Sequence, residues 1–184
     1  MRTVIKTIFV VFLFLFLAGS TYAQKIAGNS AIITYNLNLN EKEKELFIKK
    51  LTIKKVLDTY SAPFSDSADS FMKACTSYDL DCYLLPSIAG VESTFGKFIF
   101  PNSYNPFGWG RGYIIFSTWD KGISEVGKSL HENYSVKGAH SVEQIAPIYS
   151  ESPAWAPRVR YFMNEFQKEQ EKLQLYLNEN IVEL

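Results

Sequence analysis

The chain has few of the residues on which most reactive sites are built. Of 184 residues, two are cysteine and two histidine. His131 and His140 are not spaced as metal ligands, so no metal is expected. No Cys-x-x-Cys occurs, which removes thioredoxin-type redox chemistry. No Gly-x-Ser-x-Gly elbow occurs, which removes the serine-hydrolase pattern. Gly108-Trp109-Gly110-Arg111-Gly112 is glycine-rich but lacks the Lys-Ser/Thr ending of a phosphate loop, and no cofactor is implied. An excess of one charge is also missing, because 19 Lys and Arg balance 19 Asp and Glu. With nothing left over to neutralise phosphates, nucleic acid is not an expected partner. No internal repeat appears, and nothing in the sequence specifies an oligomeric state.

The amino terminus carries more information. Arg2 and Lys6 precede an apolar run from Ile8 to Ala18, followed by Gly19-Ser20-Thr21-Tyr22-Ala23. That charged, apolar, small-residue order is the pattern of a secretory signal peptide, residues 1–23, with cleavage after Ala23. The alternative is an uncleaved anchor, but the run falls short of the ~20 residues a spanning helix needs. No stable membrane span is therefore expected after cleavage, and the chain reads as secreted or periplasmic. Losing Arg2 and Lys6 leaves an excess of two acids, too few to imply any partner. In an oxidising compartment Cys75 and Cys82 read as a disulfide between the end of one helix and the start of the next. Two buried thiols are the alternative.

Residues 24–40 are polar and Asn-rich without periodicity, a flexible arm before a domain over 41–184 whose core spans about 61–178. Apolar spacing predicts helices over 41–60, 66–77, 82–95 and 118–134, a short one from Ser141, and a long one from Pro153 to about Asn178. Asp81 is the expected cap of the third helix, and Gly96 its stop. Lys97 to Phe116 is rich in Gly, Pro, Asn and aromatics and predicts a loop with a small β-hairpin. The fold class is mainly α.

Within the third helix Leu85, Ile88 and Ala89 share one face, and Glu92 falls on that face at i+7. A carboxylate on an apolar stripe is anomalous, since Glu is seldom buried without a partner. Desolvation would raise its pKa, the property a general acid needs near neutrality. The alternative is a Glu that emerges into solvent or pairs with Arg111, Arg158 or Arg160.

The string Ile88-Ala89-Gly90-Val91-Glu92-Ser93-Thr94-Phe95-Gly96-Lys97, with Asn102-Ser103-Tyr104-Asn105-Pro106-Phe107-Gly108 after it, resembles the lysozyme-like superfamily. It is most similar to the bacterial glucosaminidases (mannosyl-glycoprotein endo-β-N-acetylglucosaminidase-like) and the lytic transglycosylases. Tyr149-Ser150-Glu151-Ser152-Pro153-Ala154-Trp155-Ala156 resembles the segment that opens their last helix, and Phe116-Ser117-Thr118-Trp119 the aromatic start of the helix between. Together these blocks cover about Asp79 to Phe166.

The resemblance implies a lysozyme-like helical domain that cleaves β-1,4-linked, N-acetylated glycan, peptidoglycan above all. Glu92 would protonate the glycosidic oxygen, and Tyr149 would assist in the cleft. Ser93 would shape the helix end, while Tyr104, Asn105, Phe107 and Trp109 would line the glycan path, with Trp155 alongside. Phe107, Trp109 and Trp155 read equally well as core aromatics. One departure stands out: such glucosaminidases often carry a second Glu in the hairpin, and Gly110-Arg111-Gly112-Tyr113-Ile114-Ile115 has no acid. A two-carboxylate mechanism lacks its second member. A lytic transglycosylase forming anhydro-sugar ends, or a glycan-binding scaffold without activity, are the alternatives.

Overall fold

The computed structural model describes residues 39–182, and the side chains of that stretch as far as residue 178. The signal peptide expected over 1–23, and all but the last two residues of the expected arm over 24–40, lie outside the described residues. The described residues group into two units, 45–175 in one and 39–44 with 176–182 in the other. The described start of the smaller unit is a reciprocal cap: Glu43 N–H donates to Asn40 Oδ1 at 3.0 Å, and Asn40 N–H to Glu43 Oε2 at 2.9 Å.

The architecture is mainly helical. The described residues form α1 (Glu41–Thr59), α2 (Ala68–Tyr78), α3 (Leu84–Ser93), α4 (Trp119–Asn133), α5 (Val142–Tyr149) and α6 (Trp155–Val182), with 3-10 turns before α2 and after α4. None of these helices is long and apolar enough to cross a membrane. On α1 the buried face runs through Ile48, Thr52, Ile53, Val56 and Leu57, the spacing of one helical stripe. Its solvated face carries ion pairs such as Lys49–Glu45 at 2.6 Å. In α4 the predicted stripe is buried as expected, Ile123, Val126 and Leu130 at 0% exposure, and Thr118 Oγ1 caps the start by accepting from Lys121 N–H. Ser141 and Gln144 form a full capping box at α5.

At the centre lies α3, short and almost wholly enclosed: Leu84 through Gly90 are all buried. It is shorter than the sequence predicts at both ends. Asp81 accepts from Tyr83 N–H at 2.8 Å, so it caps the turn ahead of the helix rather than the helix itself. Pro86 is the third helical residue, within the first turn, where no intrahelical N–H is needed. The helix stops at Thr94, not Gly96, because Thr94, Phe95 and Gly96 all take left-handed φ (51°, 55° and 80°). Only the glycine does so without strain. Around α3 the core is aromatic, with Phe64, Phe71, Phe95, Phe107 and Phe166 fully buried.

The small β-hairpin expected within 97–116 is a correction. No strand occurs among the described residues, and this segment is a series of turns. Asn102, Tyr104, Gly108, Gly110, Arg111 and Gly112 all have left-handed φ, which an extended ladder cannot accommodate. Asn105 also supplies from its side chain what a partner strand would have supplied, donating from Nδ2 to the carbonyls of Trp109 (2.8 Å) and Ile114 (3.0 Å).

Cys75 and Cys82 are disulfide-bonded and tie the last turn of α2 to the approach to α3. On the loop-entropy account, closing so short a loop stabilises by about 2–3 kcal/mol. A Cys75→Ser/Cys82→Ser double variant should melt several degrees lower with its helical circular dichroism intact. An unchanged midpoint would mean that the helix packing alone fixes this corner.

Candidate active site

The last turn of α3 delivers Glu92 to the surface end of an apolar stripe. Leu85, Ile88 and Ala89 below it are 0–2% exposed, and Glu92 itself is half-buried. Its Oε1 accepts from Trp155 Nε1 at 2.7 Å, while its Oε2 lies against Gly108, where an added Cβ would come within 2.9 Å. Glu92 makes no ion pair among the described residues. Arg160, one of the partners open to it, is instead engaged in a two-pronged bond to Glu143. Burial raises the pKa of Glu92, and the indole bond to its charged form lowers it by less.

Three segments far apart in sequence hold this carboxyl. Trp155, the first residue of α6, is 3% exposed and stacks on Tyr149 at 4.8 Å between centroids. Tyr149 donates from its hydroxyl to Phe107 C=O at 2.7 Å, which joins the end of α5 to the loop after α3. Burial, with Glu92's charge second, pushes the Tyr149 hydroxyl well above its ordinary pKa, so it stays protonated and able to donate. Ser93 Oγ donates to Pro106 C=O at 2.7 Å and accepts from Gly96 N–H at 2.8 Å, clipping that loop to the helix end.

Glu92 opens onto a cavity of about 450 Å³ whose walls include Phe98, Phe100, Gly108, Arg111 and Tyr113. Of the site residues predicted from sequence, Glu92, Ser93 and Asn105 line it. Ser93 and Asn105 are buried and committed to backbone partners, so they build the wall and have little left to offer a ligand. Tyr149, Trp155 and Phe107 sit behind Glu92 and support it. Phe107 and Trp155 are core aromatics. Trp109 is half-buried with its ring 5.7 Å from that of Tyr149. Tyr104 turns away, meeting Trp119 edge-on at 5.1 Å. None of these five is among the residues lining the cavity.

Sequence reasoning missed the exposed aromatics there. Phe98, Phe100 and Tyr113 are 76%, 53% and 75% exposed, with the rings of Phe100 and Tyr113 6.4 Å apart. Such rings in water are costly unless something covers them, and their density in a Gly- and Pro-rich loop was the available signal.

Glu92 is the one acid among the lining residues. Asp120 belongs to a separate small cavity at the start of α4, and Glu125 lies on a solvated face paired with Lys121 at 2.7 Å. A cavity of about 500 Å³ also opens near the disulfide, where Glu45 is paired with Lys49, which lowers its pKa. No three His, Cys, Asp or Glu side chains among the described residues gather as a metal site. Compared with known proteins, the chain matches no family model and no curated protein.

Trp155→Phe isolates the electrostatics. It keeps a ring for Tyr149 to stack on and removes the N–H that favours the ionised carboxyl. The pKa of Glu92 should rise further, seen as an upward shift in the NMR titration of its carboxyl carbon. A downward or absent shift would mean the indole bond does not bias this proton.

Proposed function

We propose that this chain is an exported glycan-cleaving enzyme of the lysozyme-like type, acting on β-1,4-linked N-acetylated glycan, peptidoglycan above all. The observation that carries the proposal is Glu92: a half-buried carboxyl without an ion pair among the described residues, its pKa raised by burial, at a cavity with aromatic walls. A carboxyl that burial makes hold its proton to higher pH than an exposed one can pass it to a glycosidic oxygen as the bond breaks. Exposed aromatic faces suit the apolar faces of sugar rings. The disulfide is in keeping with an oxidising compartment outside the cytoplasm.

With a single carboxyl in the cavity, the nucleophile comes from the substrate. The acetamido oxygen would lead to hydrolysis, and the C6 hydroxyl to an anhydro-sugar end as in lytic transglycosylases. Either gains from being held beside the anomeric carbon. Tyr149 and Trp155 fix the acid in place. Activity should fall as pH rises through the pKa of Glu92, because the proton donor is then lost.

Mass spectrometry of a peptidoglycan digest tests the proposal. Soluble fragments with reducing ends mark a hydrolase, and anhydro ends a transglycosylase. If the protein binds the polymer but releases no fragment, it is a glycan-binding scaffold and not an enzyme.

A further inference from the structure

The cavity that holds Glu92 also holds one cation. Arg111 lines it too, in the segment where the resemblance to glucosaminidases leads one to expect a second acid. Its backbone takes left-handed φ of 58° between Gly110 at 62° and Gly112 at 81°, a conformation costly for a side chain of this size. The turn is pinned by Gly112 N–H on Gly108 C=O at 3.0 Å and by the two Asn105 amide bonds to Trp109 and Ile114. The guanidinium has no ion pair or hydrogen bond among the described residues. Glu92 is not its counter-ion, since that carboxyl is engaged by Trp155 and its pKa is raised, not lowered as a close cation would make it.

We propose that Arg111 is a specificity residue that receives a carboxylate of the substrate, so that the cleft selects acid-bearing N-acetylated glycan over neutral glycan of the same linkage. The inference rests on the glycan-cleaving function proposed above and narrows its substrate. Guanidinium is permanently charged and its forked N–H groups match a carboxylate's two oxygens. In a wall polymer that carboxylate has two sources. One is the free lactyl carboxyl of a muramyl sugar whose peptide has been removed. The other is a carboxylate of the peptide stem, where the lactyl group is tied up as an amide. A chitin-like strand offers neither.

Binding separates these without requiring turnover. The full chain carrying Glu92→Gln, with and without Arg111→Gln, is titrated by calorimetry with peptide-free strands, peptide-bearing strands and peptide-free strands whose lactyl carboxyls have been reduced to alcohols. Acid-bearing strands should bind about tenfold to a hundredfold more tightly than reduced ones, and Arg111→Gln should erase that margin while leaving the reduced strands unaffected. Preference for peptide-free strands assigns the lactyl carboxyl, and preference for peptide-bearing strands the stem. Equal binding of acid and reduced strands, or a margin that survives Arg111→Gln, overturns the role of Arg111 while leaving glycan cleavage standing. If no strand binds and the unsubstituted chain releases no fragments, both proposals fall.

Discussion

Replacing Glu92 by Gln should reduce glycan cleavage by about 10²–10⁴-fold, the usual contribution of a general acid, while the fold survives. Gln has the same length and keeps an oxygen to accept from Trp155 Nε1, so the contact at 2.7 Å need not be lost. What disappears is the transferable proton. Stability provides an independent check on the sign. Burial raises the folded-state pKa of Glu92, so its contribution to stability is fully present at low pH and is lost as pH rises through that pKa. Gln has no such loss. The variant's melting midpoint should therefore gain on that of the unsubstituted chain as pH rises above about 4, the ordinary range of a Glu carboxyl, and on through the raised pKa. Cleavage at an unchanged rate would remove Glu92 from the mechanism, and a midpoint difference independent of pH would mean its carboxyl is not desolvated.

How much of this site was legible in the sequence differs from residue to residue. Glu92 was legible because periodicity is local: its place at i+7 on the stripe of Leu85, Ile88 and Ala89 follows from helical geometry alone. The stripe on α4 was legible for the same reason. The end of α3 was misplaced because a left-handed Thr94 and Phe95 defy the rule that glycine takes such positions, and loop contacts made through Ser93 hold them there. The hairpin was misread because Asn105, 2% exposed, meets its backbone partners through a side chain, which spacing does not announce. Trp155 lies 63 residues from Glu92, and only the packing of α6 against α3 makes it that carboxyl's donor. The exposed rings of Phe98, Phe100 and Tyr113 follow no period, so only their density in a Gly- and Pro-rich loop set them apart from core aromatics.

The second large effect falls on Gly108. Substitution by Ala should lower kcat about a hundredfold while costing only about 1–2 kcal/mol in stability. The stability cost is that of a Cβ at φ +63°, since the steric overlap itself is easily relieved. The new methyl would lie 2.9 Å from Glu92 Oε2, 3.6 Å from its Cδ and 3.8 Å from its Cβ, and the nearest of these atoms is the free end of a flexible side chain. That end can swing aside, but doing so pulls the carboxyl off Trp155 Nε1 and away from the position where a glycosidic oxygen would meet it. A shift of about 1 Å is enough to forfeit the alignment on which proton transfer depends. Gly138→Ala separates this from backbone strain. Gly138 is also left-handed, at φ +94°, and a methyl added there would meet no atom within 4 Å, so it should show a similar stability loss with turnover intact. If both variants cleave glycan alike, the position of the Glu92 carboxyl does not limit the reaction, and the role given to the Trp155 and Gly108 clamp is wrong.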